Sequence, residues 1–102
     1  MDADLLAAIV TEFRSARFVL AKGRGLVTLV ANKSRLTAKH VERILNDIVS
    51  EFDEYDVIVR DMTNSGREGA FTIVDRDSGT FVCSITFFVT RIEMQATAVI
   101  SW

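Results

Sequence analysis

The segment TFVCSITFFVT, residues 80–90, and the segment MQATAVISW, residues 94–102, decide the fold. Apolar side chains alternate in both with small or polar ones, which is the period-two pattern of a β-strand. The pattern predicts two long antiparallel strands, joined near Arg91–Glu93, whose apolar face is covered by helices. The residues predicted on that covered face are Phe81, Cys83, Ile85, Phe87 and Val89 in the first strand and Met94, Ala96, Ala98, Ile100 and Trp102 in the second.

Two more strands are predicted before this pair, at Tyr55–Met62 and Ala70–Asp75. The turn signals Asn64-Ser65-Gly66 and Asp77-Ser78-Gly79 separate the successive strands, and Gly79 is suited to a positive φ. Three consecutive hairpin links of this kind predict a four-stranded antiparallel meander.

Amphipathic helices are predicted in the first half of the chain, where apolar residues recur at three-and-four spacing. The first helix spans Asp2–Ala21 and is expected to stop at Gly23 and Gly25; the second spans Thr37–Phe52, with Thr37 as its N-cap. Residues 26–31 are interpreted as a short strand, with a helical continuation as the alternative. The predicted fold is therefore a single α+β domain over residues 1–102, in which two helices, with a short strand between them, pack on the meander.

The composition predicts a globular protein of the cytoplasm. Hydrophobic residues make up 49% of the 102 residues, enough for one core. The single cysteine, Cys83, cannot form an intramolecular disulfide, which fits a reducing compartment. The N-terminus is acidic where a signal peptide is basic, and the uncharged run Ser78–Thr90 is shorter than the ~18 residues of a membrane span.

Few side chains suggest catalysis or metal binding. His40 is the only histidine, and Cys83 lies on the predicted covered face, away from the electropositive setting that activates a thiol. The carboxylates of residues 47–56 do not follow the spacing of a calcium loop. We therefore expect no catalytic residue, no metal and no cofactor.

Charge is divided unevenly along the chain. Residues 1–46 carry eight Lys or Arg and four acids, whereas residues 47–102 carry four Arg and ten acids. The basic segment 14–43 indicates contact with a polyanion, for which nucleic acid and an acidic protein surface are equal candidates. The candidate contact residues are Arg14, Arg17, Lys22, Arg24, Lys33, Arg35 and Lys39.

The second face of the two long strands combines apolar with small polar side chains and has no charged residue. A solvated sheet face usually carries Lys and Glu, so this face is expected to be covered by a partner. The candidate partner-binding residues are Val82, Thr86, Phe88, Thr97 and Val99.

The favoured function is a non-enzymatic protein-binding module, homodimeric through the sheet, that masks or bridges a partner protein. One alternative is a nucleic-acid-associated protein that uses the basic segment. The other is a small-molecule or enzymatic pocket in a curved, cone-like sheet.

Overall fold

The computed structural model of the chain describes residues 1–22 and 26–102. Within these residues the chain forms two α-helices and six β-strands. The helices are α1 (Ala3–Ser15) and α2 (Ala38–Ser50), and the strands are β1 (Val19–Ala21), β2 (Val27–Ala31), β3 (Tyr55–Met62), β4 (Glu68–Asp75), β5 (Phe81–Val89) and β6 (Ala96–Ser101).

All six strands belong to one sheet in the order β1-β2-β6-β5-β4-β3, and every neighbouring pair is antiparallel. The α+β class and the meander from β3 to β6 are confirmed, and residues 27–31 are a strand rather than a helix. The predicted number of four strands is wrong. The last strand of the meander leaves backbone donors and acceptors along its outer edge, and β2 pairs with them, placing Leu29 opposite Ala98.

The first helix is shorter than predicted because a local capping motif ends it at Ser15. Arg17 takes a left-handed backbone with φ of 71°, and the Phe18 N–H donates to the Phe13 carbonyl at 3.0 Å. Phe18 is buried, and its ring lies edge-on to Phe13 at a centroid distance of 5.1 Å. This aromatic contact anchors the turn, so that residues 19–21, predicted as helix, become the edge strand β1.

The predicted cap of the second helix is confirmed. The Thr37 hydroxyl accepts from the backbone N–H of His40, while His40 Nδ1 accepts from the Thr37 N–H at 3.1 Å. The Ala38 N–H donates to the Gly66 carbonyl at 2.8 Å, which ties the start of the helix to the β3–β4 turn. His40 therefore serves to cap a helix.

The core lies between the helices and one sheet face. Leu5, Ile9 and Phe13 of α1 and Val41 and Leu45 of α2 are fully buried. Six of the predicted sheet residues are buried there as well, which confirms that part of the face assignment. They are Cys83, Ile85, Phe87, Ala96, Ala98 and Ile100.

The predicted burial of Phe81, Met94 and Trp102 is wrong. Cys83 lies opposite Ile73 whereas Phe81 lies opposite the next residue, Val74, so a β-bulge interrupts the alternation. The bulge leaves Phe81 54% exposed. Met94 and Trp102 are exposed because they lie outside strand β6.

Candidate functional site

The sheet face opposite the helices, called here the outer face, is built from rows of side chains that cross the strands. The rows follow from the strand registers, and each contains residues from strands far apart in sequence. The three central rows are Val19–Val30–Thr97–Phe88–Glu68, Ala21–Thr28–Val99–Thr86–Ala70–Asp61 and Ser101–Ser84–Thr72–Ile58.

Strands β2, β6 and β5 contribute no charged side chain to the outer face. Its charges are confined to one side of the sheet, on β4 and β3, where they are of both signs. These charged residues are Glu68, Asp56, Arg60 and Asp61. The middle of the face is therefore neutral, with a charged margin along one edge.

Four of the five predicted partner-binding residues fall in these rows: Thr86, Phe88, Thr97 and Val99. Phe88 is 37% exposed and Thr86 is exposed, whereas Thr97 is buried between its row neighbours Val30 and Phe88. The fifth, Val82, is half-buried at the bulge beside Phe81. The structure thus brings four of the five predicted residues onto one face, and their binding role stays a prediction.

Two residues of this surface, Val19 and Val30, were missed by the sequence reasoning. Val19 was assigned to the first helix, and the position of residues 26–31 in the sheet was unknown. The only sequence signal was the β-branched character of both residues, which favours strand over helix.

Three of the six hydroxyls in the rows of the outer face have a partner within the face. The Ser84 and Ser101 hydroxyls lie 2.6 Å apart across the strands, and Arg60 Nε donates to the Thr72 hydroxyl at 3.2 Å. These contacts satisfy hydroxyls that a dry interface would otherwise leave without a partner. The part of the face around Ser84, Ser101 and Thr72 is therefore compatible with close packing against an apolar surface.

The charge division seen in the sequence becomes a division between the two ends of the sheet. The β2–α2 loop, the β3–β4 turn and the β5–β6 hairpin meet at one end, since the Val89 N–H donates to the Arg67 carbonyl and the Ser34 N–H to the Met94 carbonyl. This basic end carries five cations, Arg17, Lys33, Arg35, Arg67 and Arg91, against the two acids Glu68 and Glu93.

The opposite end is acidic. There the α2–β3 connection meets the β4–β5 turn, and the Arg76 N–H donates to the Glu54 carbonyl at 2.7 Å. The Arg76 side chain pairs with Asp56 at 3.1 Å, but most of the neighbouring charges are negative. The acids at this end are Asp2, Glu51, Asp53, Glu54, Asp56, Asp75 and Asp77.

The six candidate polyanion contacts that the structure describes do not form one surface. Lys33, Arg35 and Arg17 are exposed at the basic end, whereas Lys22 follows β1 at the acidic end. Arg24 lies outside the described residues. The remaining two are on helices: Arg14 in the last turn of α1, and Lys39 in the first turn of α2, 3.9 Å from Glu42. Nucleic-acid contact stays a prediction.

The acidic end also holds the N-terminus of the first helix in place. The Tyr55 hydroxyl donates to the Asp2 carboxylate at 2.9 Å, which helps to hold the pKa of Asp2 below its ordinary value. Burial, reinforced by this hydrogen bond, raises the pKa of Tyr55 to about 12. This pair joins α1 to β3 and acts structurally.

Cys83 and the acidic residues offer little for chemistry. Burial raises the pKa of the Cys83 thiol to about 11, so the thiol stays protonated at neutral pH. Within residues 1–22 and 26–102, no three His, Cys, Asp or Glu side chains are grouped as a metal ion would require. No helix in the same part of the chain is long and apolar enough to cross a membrane.

Comparison of the chain with protein family models, with curated proteins and with solved structures gives no match.

Proposed function

We propose that this protein is a non-enzymatic protein-binding module that forms a homodimer through the outer face of its sheet and acts by masking or bridging a partner protein. The observation that carries the proposal is the neutral, half-exposed surface across β2, β6 and β5. Its exposed or half-exposed members include Val30, Val99, Thr86 and Phe88. Covering such a surface stabilises the dimer relative to the monomer, since each Å² of apolar area removed from water contributes roughly 25 cal/mol.

The size of the outer face suits a small interface between proteins. Six strands about 4.8 Å apart, with roughly six residues at ~3.3 Å each, give a footprint of about 24 by 20 Å. This footprint of about 480 Å² is smaller than the ~800 Å² per partner of a standard stable interface, so the proposed dimer belongs with the smaller and weaker interfaces.

A second copy of the chain is the occupant that the charge pattern favours. In a two-fold dimer the same patch meets itself, so a charge near the axis would face a like charge. The outer face has no charged residue on the three neighbouring strands β2, β6 and β5. Its charges lie together on the β4–β3 side, where Arg60 is positive and Asp56, Asp61 and Glu68 are negative, so opposite charges can pair where these margins meet in the dimer.

A binding role is supported over a catalytic one by the state of the two most reactive side chains. The Cys83 thiol is buried in the core with a pKa of about 11. The His40 ring nitrogen Nδ1 is used in the cap of α2. Both groups serve the fold, and neither is arranged as a nucleophile or a base.

Sedimentation analysis of the purified protein tests the proposal. At tens of micromolar we expect a mass of twice the chain mass of 11.4 kDa. Thr86→Lys should give a folded monomer, because Thr86 is exposed at the centre of the face and a lysine there would be buried without a partner in the dimer.

Thr11→Lys is the matched control, since Thr11 is an exposed residue of α1 on the other side of the molecule. It should leave the dimer unchanged. A wild-type mass of 11.4 kDa, or a Thr86→Lys protein that remains dimeric, would contradict the proposal.

A further inference from the structure

A groove of about 680 Å³ lies at the basic end, between the β2–α2 loop and the β5–β6 hairpin. Two hydrogen bonds hold its sides together: the Ser34 N–H donates to the Met94 carbonyl at 3.0 Å, and Gln95 Nε2 donates to Asn32 Oδ1 at 3.2 Å. The volume is within the ~300–1,000 Å³ range of ligand sites. The residues lining the groove are Asn32, Lys33, Arg35, Ile92, Glu93 and Met94.

The two sides of the groove differ in chemistry. Lys33 and Arg35 are exposed on the loop side, and no carboxylate in the described residues lies within ion-pair distance of either. Ile92 and Met94 form the hairpin side. Ile92 is 96% exposed, the largest exposed fraction among the large apolar residues of the described chain.

We infer that this groove binds an acidic polypeptide segment bearing an apolar side chain, contributed by a partner protein. Carboxylates of the segment would pair with Lys33 and Arg35, while its apolar side chain would cover Ile92 and Met94. Such charge complementarity gives specificity and faster association, and the apolar contact adds affinity.

The composition of the groove favours a polypeptide over a nucleic acid. Single-stranded nucleic acids are held by aromatic side chains on which bases stack, and no aromatic residue lines this groove. Glu93, on the hairpin side, repels carboxylates and phosphates alike, so the acids of the segment are expected on the loop side, next to Lys33 and Arg35. An aliphatic residue beside two cations is better matched by a peptide that combines acids with an apolar side chain.

The backbone of both sides is held in an uncommon conformation. Lys33 and Met94 have φ of 54° and 51°, in the left-handed region that non-glycine residues seldom occupy. Strain of this kind concentrates at ligand-binding sites, where the surrounding structure keeps side chains in position. Here it positions a cation and an apolar residue on facing sides of the groove.

Fluorescence anisotropy with a labelled synthetic peptide, EDELEDE, tests the inference. The wild-type protein should bind the peptide saturably, and binding should weaken as salt rises from 50 to 300 mM, because the screening length of surface ion pairs shortens from ~14 Å to ~6 Å. The double variant Lys33→Glu with Arg35→Glu should weaken binding at least tenfold. Ile92→Ser should weaken it about fivefold, and a probe with serine in place of its leucine should show a similar loss.

Arg43→Glu, compared with the single variant Arg35→Glu, is the matched control. The two variants make the same change in net charge, and Arg43 is an exposed residue of α2 outside the groove. The control should retain binding within about twofold. All these residues lie outside the rows of the outer face, so sedimentation of each variant reports separately on the homodimer.

Three results would overturn the inference. One is the absence of saturable peptide binding up to 1 mM. Another is a loss in the α2 control equal to that in the Arg35→Glu variant, which would show a general charge effect. The third is tighter binding, through the same two cations, of a single-stranded RNA 15-mer or of phosphatidylserine vesicles, which would assign the groove to another class of partner.

Discussion

Replacing Phe88 with lysine separates an interface role for the outer face from a purely structural one. Phe88 is 37% exposed, and its cross-strand neighbour toward β4 is Glu68. A lysine at this position gains an opposite charge across the strands, whereas an aspartate would face a like charge. Lysine therefore removes the apolar ring with the smaller disturbance to the monomer.

The expected loss of dimerisation free energy follows from the exposed fraction of the Phe88 ring. A phenylalanine buries roughly 200 Å², so the exposed 37% of Phe88 leaves about 75 Å² for a partner to cover. At roughly 25 cal/mol per Å² this is about 1.9 kcal/mol per copy and about 3.7 kcal/mol for a two-fold dimer. The dimer dissociation constant should rise about 500-fold.

The fold should survive this change. The part of Phe88 already buried in the monomer is roughly 125 Å², worth at most about 3 kcal/mol, and the lysine stem recovers some of it. A domain of this size has about 5–15 kcal/mol of stability. We therefore expect a folded monomer, with circular dichroism unchanged and a somewhat lower melting temperature.

Val59→Lys is the matched control, because Val59 is a strand residue 40% exposed on the opposite sheet face, across from Phe71. It should remain dimeric. Phe87→Lys should unfold the protein, since Phe87 is fully buried and its loss adds a buried charge to a cavity cost of about 3–5 kcal/mol. A Phe88→Lys protein that is folded and still dimeric would refute the assignment of the outer face.

Two further predictions concern α1 and its contacts. Tyr55 is the only tyrosine, so absorbance at 295 nm should show one phenol titrating at about pH 12, while circular dichroism confirms that the chain is folded. Asp2→Ser keeps an N-cap but removes the carboxylate that accepts from Tyr55, so the pKa should fall part of the way toward 10; no fall would contradict the contact. Because the folded state holds this proton more tightly, stability should decline as pH rises from 10 to 12. Arg17→Gly should raise the free energy of unfolding by about 0.5–1 kcal/mol, since glycine adopts the φ of 71° without strain. Arg14→Gly, inside the helix, should lower the free energy of unfolding by about 1 kcal/mol. Melting temperatures of the two variants that shift in the same direction would refute this account.

The sequence-based predictions were wrong at two local features, the β-bulge in β5 and the turn that ends α1. Strict alternation predicted Phe81 on the covered face with Cys83, but one extra residue in the strand moves Phe81 off that face. Helical periodicity continued through Leu20, but the buried contact of Phe18 with Phe13 ended the helix earlier. Both departures arise from contacts between side chains whose positions depend on the packed structure.

The candidate surfaces were foreseen to different degrees. Thr86, Phe88 and Val99 were predicted on one face because period two is a local property of a strand. The groove was not predicted, since its lining residues on the two sides are 57–62 positions apart in sequence and meet only when β2 pairs with β6. Lys33 and Arg35 were recognised as cations, but Ile92 was treated as part of a connecting turn.

The sequence by itself determined the period of each long segment, the turns between them, the cap at Thr37 and the separation of charge between the two halves. These features depend on residues within a few positions of one another, so they can be recognised without a fold. Only the tertiary structure decided that β1 and β2 extend the meander, that the outer face is neutral across β2, β6 and β5, and that one end of the sheet is rich in basic residues and the other in acidic ones. Strand partners are chosen by unpaired backbone groups and by burial of side chains from distant segments, which the local pattern of residues does not specify.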